Sequence, residues 1–330
     1  PGETWDYTAT QPIIVTDLNY PAGKRRVVMQ APKNGFFYVL DAKTGELLNA
    51  NKFAPLTWAT HVDMKTGRPV EVPEARYERT GRAVIVAPGA LGMHNWHPMA
   101  FSRDTGLVYL PVTVQPATYA NPKEFKPNME GWNTGIAFQS GVGETPVIAM
   151  GTAPKQESYL LAWDPVEGKE VWRVPNEVYG ATGVMATAGN LVFSGNHKGE
   201  FVAYDARTGQ RLWAAPTGAR VVAAPSTYLA NGEQHVAILV GARGLPPGGK
   251  RTSAVSANNS RILVFKAGGT ASLPADLPAG VSLPATVRID PPLLTASNET
   301  VASGELLYDQ SCSVCHGRNS VPAAGAVAPD

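Results

Sequence analysis

The sequence predicts an all-β fold assembled from repeated sheets, and three observations carry that prediction. A five-residue turn signature recurs along the chain. Two stretches echo each other at a constant offset of 41 residues. The composition is rich in turn formers, with 33 Gly and 28 Pro in 330 residues, punctuation that favours short strands over helix bundles. Hydrophobic residues make up 44% of the chain, ample for a large core.

The turn signature is Asp41-Ala42-Lys43-Thr44-Gly45, Asp63-Met64-Lys65-Thr66-Gly67, Ser102-Arg103-Asp104-Thr105-Gly106, Asp164-Pro165-Val166-Glu167-Gly168 and Asp205-Ala206-Arg207-Thr208-Gly209. Its first residue can accept hydrogen bonds from backbone N–H groups, and its glycine supplies a positive φ at the close. A short apolar run flanks each turn, as Phe36–Leu40 does the first and Phe201–Tyr204 the last, so each reads as a hairpin.

The repeat is Leu161-Ala162-Trp163-Asp164 … Gly168-Lys169-Glu170-Val171-Trp172, echoed by Val202-Ala203-Tyr204-Asp205 … Gly209-Gln210-Arg211-Leu212-Trp213. A period of about 40–45 residues with about four strands per unit is the mark of a β-propeller, whose blades close on themselves to remove sheet edges. Residues 1–267 are expected to hold part of such a propeller, about four to five blades. The Trp after each turn is expected to pack between neighbouring blades.

Residues 268–297 change character: Pro274, Pro278, Pro284, Pro291 and Pro292 among Ala, Ser and Leu read as an extended linker. From Asn298 the pattern turns helical and leads into Cys312-Ser313-Val314-Cys315-His316-Gly317. Two cysteines two residues apart with His following read as a covalent c-type haem site: Cys312 and Cys315 attach to the porphyrin vinyls, and His316 ligates iron. A redox dithiol would not need the histidine. Half of a zinc site would need more Cys or His nearby, and none follows. Residues 298–330 are thus expected to be the truncated start of an α-helical cytochrome c domain. No Met or His follows His316 to serve as a sixth ligand, and residues 1–7 show no Met start and no leader pattern. The chain is expected to be a piece of a longer protein whose open propeller is unstable alone.

Net charge is +1, with no basic run long enough to track phosphates, so nucleic acid is not an expected partner. Lys24-Arg25-Arg26, the densest basic run, is expected in a hairpin turn. No apolar run approaches the ~20 residues of a spanning helix.

Four segments carry a resemblance: Trp5-Asp6-Tyr7-Thr8-Ala9-Thr10-Gln11-Pro12, Gln30-Ala31-Pro32-Lys33-Asn34-Gly35-Phe36-Phe37-Tyr38-Val39-Leu40-Asp41, His94-Asn95-Trp96-His97-Pro98-Met99 and Trp132-Asn133-Thr134-Gly135. With Arg261–Lys266 and the haem motif in the same order, they resemble the C-terminal half of quinohaemoprotein alcohol dehydrogenases, which use pyrroloquinoline quinone (PQQ) and Ca²⁺. The resemblance implies an eight-bladed propeller and a periplasmic enzyme. It makes Asp6 the catalytic base beside calcium, and Lys33, Asn95 and Trp96 contacts of PQQ. Alone, Asp6 reads as a turn or edge residue, and Lys33 as a turn lysine before an Asn34-Gly35 type I′ pair. His94 and His97 read as core or rim histidines, because Ca²⁺ prefers oxygen.

The implied reaction is oxidation of an alcohol to an aldehyde or ketone, with electrons passing to haem c and on to an acceptor protein: a cytochrome, a cupredoxin or a quinone-linked subunit. One departure stands out. Tyr179-Gly180-Ala181-Thr182-Gly183-Val184 replaces a Trp-Asn-Gly-Gly-like run of the family. Sugars, polyols, polymers or larger cyclic alcohols therefore stay open as substrates, as does a non-enzymatic propeller with a tethered electron carrier. The family's other calcium ligands, adjacent cysteines and ring-stacking Trp are expected upstream of residue 1.

Overall fold

A computed structural model describes residues 2–126, 135–136, 146–241, 261–273 and 295–311. The first four strands, β1 (Ile14–Tyr20), β2 (Gly23–Gln30), β3 (Phe36–Asp41) and β4 (Leu47–Lys52), form an antiparallel sheet in sequence order. The hairpin β5 (Ala59–Asp63) and β6 (Arg68–Glu71) follows, then a 3₁₀ turn at Pro73–Ala75 and the one-turn helix α1 (Tyr77–Thr80). Next come β7 (Val84–Val86), β8 (Ala100–Phe101), β9 (Val108–Val114), β10 (Ala117–Tyr119), β11 (Val147–Ile148), β12 (Glu157–Asp164) and β13 (Lys169–Pro175). Of these, β8-β9-β12-β13 make a second four-stranded sheet, while β10-β7-β11 make a small sheet on an excursion from it.

The second half is regular. β14 (Val184–Ala186), β15 (Leu191–Gly195), β16 (Glu200–Asp205) and β17 (Arg211–Pro216) form a four-stranded meander. β18 (Ser226–Ala230), β19 (Glu233–Val240) and β20 (Arg261–Lys266) form the last sheet, and α2 (Asn298–Ser311) runs up to Cys312. This is the all-β, blade-like architecture expected of a partial propeller.

The five turns form as their chemistry dictates. The Oδ1 atoms of Asp41, Asp63, Asp164 and Asp205 each accept from the N–H groups two and three residues on, at 2.8–3.4 Å. Ser102 Oγ takes the equivalent bond from Thr105 N at 3.3 Å. Each closing glycine returns its N–H to the first residue's carbonyl at 2.7–2.9 Å. The 41-residue echo is also structural. The register slips between Ala162 and Trp163 on β12 and between Ala203 and Tyr204 on β16, and again between Val39 and Leu40 on β3.

Neighbouring sheets interlock as expected of blades. Trp172 on β13 donates its indole N–H to Ala206 O at 3.1 Å in the next sheet and lies against Gly209. Trp213 on β17 packs on Phe265 of β20, rings 5.3 Å apart. Amide groups do the same work earlier: Asn49 and Asn51 on β4 donate to carbonyls of Pro165 and Gly168 at 3.3 and 2.9 Å.

Two expectations are corrected. Lys24-Arg25-Arg26 lies on strand β2 rather than in the turn, where Asp17 and Asp41 on the adjacent strands and Glu46 just before β4 pair with it. The Asn34-Gly35 pair is not a type I′ turn. Gly35 N bonds to Pro32 O at 3.3 Å and only Gly35 has positive φ, so Lys33 and Asn34 are the central residues. Trp132, Asn133, Thr134, Cys312, Cys315, His316 and most of the Pro-rich segment lie outside the described residues.

Candidate functional site

Asp6 and Lys33, 27 residues apart, meet. Lys33 Nζ donates to Asp6 Oδ2 and to Asp6 O, both at 3.1 Å. The pair is lopsided: the Lys33 side chain is 9% exposed and that of Asp6 49%. A buried ammonium needs a partner, and Asp6 supplies two acceptors. The described residues give the third N–H no acceptor. The outer carboxylate oxygen, Oδ1, receives only a 3.4 Å bond from Thr8. The donor set is therefore a cation and a half-open carboxylate side by side.

The turn carrying Lys33 is held from beneath. Met93 N donates to Lys33 O at 2.9 Å, and a Cβ on Gly92 would collide with the Lys33 backbone and side chain. Glycine at 92, at φ +77, is what lets the 89–97 loop lie flat on Lys33. Trp58 donates its indole N–H to Asn34 O at 3.0 Å, and its ring packs on both Trp5 and Tyr7, centroids 5.2 Å away. One indole thus joins the segment bearing Asp6 to the turn bearing Lys33.

Asn95 and Trp96 follow Met93 on the same loop. The Asn95 amide donates to Leu91 O and accepts from Trp96 N, each at 2.8 Å, and among the described residues its second N–H has no acceptor. The Trp96 ring is 56% exposed and stacks on His97 at 4.0 Å. The structure thus brings Asp6 and Lys33 into contact, and ties Asn95 and Trp96 to Lys33 through the loop backbone rather than by a side-chain contact.

His94 is buried, with Nδ1 2.7 Å from Ala31 O and Nε2 2.9 Å from His97 O. It crosslinks the Lys33 turn to the 94–97 loop, as a core histidine. Burial lowers its affinity for a proton, against the pull of the two carbonyls. The His97 imidazole is pushed down to about 4 by burial and by neighbouring His94 and His197, and its Nδ1 is buried with no partner among the described residues. In the divergent 179–184 loop, His197 fills the space beside Gly180 and meets Tyr179 O and Ala181 O at 3.0 and 3.2 Å.

The donor set suits an anionic quinone: an ammonium with a spare N–H, an amide with a spare N–H and an exposed aromatic face. For an oxygen-seeking cation it offers one carboxylate. Among the described residues no three His, Cys, Asp or Glu gather as a metal site. Sequence reasoning missed Trp58, Tyr77 and Tyr119, which frame Asp6; no local spacing marks them.

A family model described as outer membrane protein assembly factor BamB matches residues 156–263, the stretch from β12 to β20. Quinohemoprotein alcohol dehydrogenase ADH IIB of Pseudomonas putida is 42% identical over 333 residues, covering 100% of this chain and 46% of that protein. The quinohemoprotein alcohol dehydrogenase of Comamonas testosteroni is 38% identical, covering 99% and 45%. The solved structure of ADHIIG from Pseudomonas putida superposes with a TM-score of 0.72 at 36% identity, covering 98% of this chain and 47% of that one. The chain spans a little under half the length of these relatives. The identity along the chain's own length and the shared sheet architecture agree, and the chain is a quinohaemoprotein alcohol dehydrogenase-like protein that matches a little under half of each relative.

Proposed function

We propose that this chain is the part of a periplasmic PQQ- and Ca²⁺-dependent alcohol dehydrogenase that carries the base, a cationic quinone contact and the haem attachment site. The observation that carries the reading is the Asp6–Lys33 contact, a half-open carboxylate beside a buried ammonium. The relatives' printed names, alcohol dehydrogenases that are quinohaemoproteins, supply the substrate class.

Bound PQQ would supply a two-electron acceptor for the hydrogen leaving the alcohol carbon. Lys33, Asn95 and Trp96 would hold it: Lys33 by its spare N–H, Asn95 by its amide and Trp96 by its ring. Lys33 places positive charge where a reduced quinone gains negative charge, the preorganised electrostatics that lower barriers most. Asp6 takes the proton of the alcohol hydroxyl on its exposed carboxylate oxygen, while Lys33 fixes the other one. A base needs its geometry held before anything else. Asp6 would also give calcium one oxygen ligand. Cys312 and Cys315 would attach the haem and His316 would ligate its iron, providing a one-electron carrier toward an acceptor protein. No described helix is long and apolar enough to cross a membrane.

The test is Asp6→Asn in the full-length protein loaded with PQQ and Ca²⁺. Turnover of a primary alcohol with an artificial acceptor is expected to fall by about 10²–10⁴-fold, the usual worth of a general base. Turnover at the unsubstituted level would remove Asp6 from that role.

A further inference from the structure

Asp6 sits in the left-handed region at φ +63, one of three described non-glycine residues to do so. That conformation is unfavourable for an L-residue, less so for Asp than for most. Strain of this kind persists only where the surroundings over-determine the backbone. Here three successive carbonyls are each held by a different side chain. Tyr77 Oη donates to Thr4 O at 3.1 Å, Tyr119 Oη to Trp5 O at 3.1 Å, and Lys33 Nζ to Asp6 O at 3.1 Å.

The two tyrosines form one unit. Their rings stack with centroids 5.5 Å apart at 27°, and both are buried. Tyr77 Oη is used twice, accepting from Thr4 Oγ1 at 2.9 Å as well as donating. Trp5 donates its indole N–H to Ala75 O at 3.0 Å, with the Arg76 guanidinium 4.5 Å above its ring. The 3₁₀ turn and α1, a detour from the regular sheets, thus form a seat under residues 4–6.

We infer that Tyr77 and Tyr119 are positioning residues: their hydroxyls fix the 4–6 backbone and thereby keep the Asp6 carboxylate against Lys33. The catalytic meaning of this rests on the reading of Asp6 as the base. Neither hydroxyl touches the carboxylate, so the effect travels through the main chain. Burial raises the proton affinity of both phenols, so both remain donors across ordinary pH.

The experiment uses full-length protein carrying Tyr119→Phe or Tyr77→Phe, which keep the ring stack. The control is Tyr159→Phe, whose buried hydroxyl has no partner among the described residues. Lys33 acylation by an amine-selective reagent is followed by peptide mass spectrometry, a readout independent of turnover. One buried hydrogen bond is worth about 0.5–1.5 kcal/mol, or about 2–13-fold. Lys33 acylation is expected to quicken by about that factor in either tyrosine variant, and kcat to fall by a similar factor with KM unchanged. Tyr159→Phe should change neither. In an Asp6→Asn background Tyr119→Phe should no longer affect kcat. Unchanged Lys33 acylation in both tyrosine variants, or equal quickening in the Tyr159→Phe control, overturns the proposal. Quickened acylation with unaltered kcat upholds the clamp and places the failure in the reading of Asp6 as base.

Discussion

β12 and β20 are both apolar strands, yet one is covered on two faces and the other on one. On β12 every residue from Ser158 to Trp163 is buried. On β20 the pattern alternates, with Ile262 65% and Val264 50% exposed, and the adjoining Leu239 is 58% exposed. The difference lies in the neighbours. β12 has the first sheet on one side, through Phe37 and Trp163, and the β14–β17 sheet on the other, through Trp172. The β18–β20 sheet has a described neighbour on one side only, through Trp213 and Phe201. A strand's apolar content therefore reports the faces it can bury, and its burial reports the faces that are covered. Trp5, Trp58, Tyr77, Tyr119 and Met93 belong to the same core cluster as Trp163, so the candidate site stands on the doubly packed region, as precise chemistry requires.

The echoing tryptophans offer the largest test of this contrast. Trp172 is 9% exposed and hydrogen-bonded across sheets, whereas Trp213 is 41% exposed. Trp172→Ala is expected to cost about 3–5 kcal/mol by denaturant unfolding, and Trp213→Ala clearly less; equal losses would break the comparison. Next comes a pair of aliphatic truncations. Leu161→Ala, at a fully buried position, should cost about 2–5 kcal/mol. Ile262→Ala should stay within about 0.5 kcal/mol in this chain. A larger loss at Ile262 would show that its face is covered in the protein tested.

A further test of the packed region concerns pH. The His97 imidazole titrates near 4 in the fold, against 6.5 ordinarily, so the unfolded chain takes up its proton first as pH falls. Its contribution is complete above about 6.5 and is lost as pH drops toward 4, amounting to about 1–3 kcal/mol. His97→Gln should flatten that part of the stability–pH curve. An unaltered slope between pH 6.5 and 4 would contradict the burial of its ring.

What was legible in the sequence follows the range of the forces involved. The five turns were readable because Asp or Ser and Gly act on their own backbone within five residues. The tryptophan packing was readable because repetition exposes it. The Asp6–Lys33 pair bridges 27 residues and Tyr119 reaches back 114 residues to Trp5, so no local pattern announces either contact. Asp6, Lys33, Asn95 and Trp96 are candidates through family resemblance alone. Tyr77, Tyr119 and Trp58 were not found, since each looks like an ordinary core aromatic until its polar atom is seen bonded beside the site.

At two of the five turns, those of Gly168 and Gly209, the closing glycine also marks where one sheet meets the next. A Cβ at Gly168 would strike the amides of Asn49 and Asn51, and one at Gly209 would lie 2.7 Å from the Trp172 ring. Each is a notch cut to receive the outer strand of the preceding sheet, but the teeth differ: paired amides enter one, an indole the other. Units built to one plan thus carry separate addresses, and a hairpin transplanted from one site to the other would arrive with the wrong key. At these two turns one repeated backbone receives two different visitors, so each pair of sheets is matched separately.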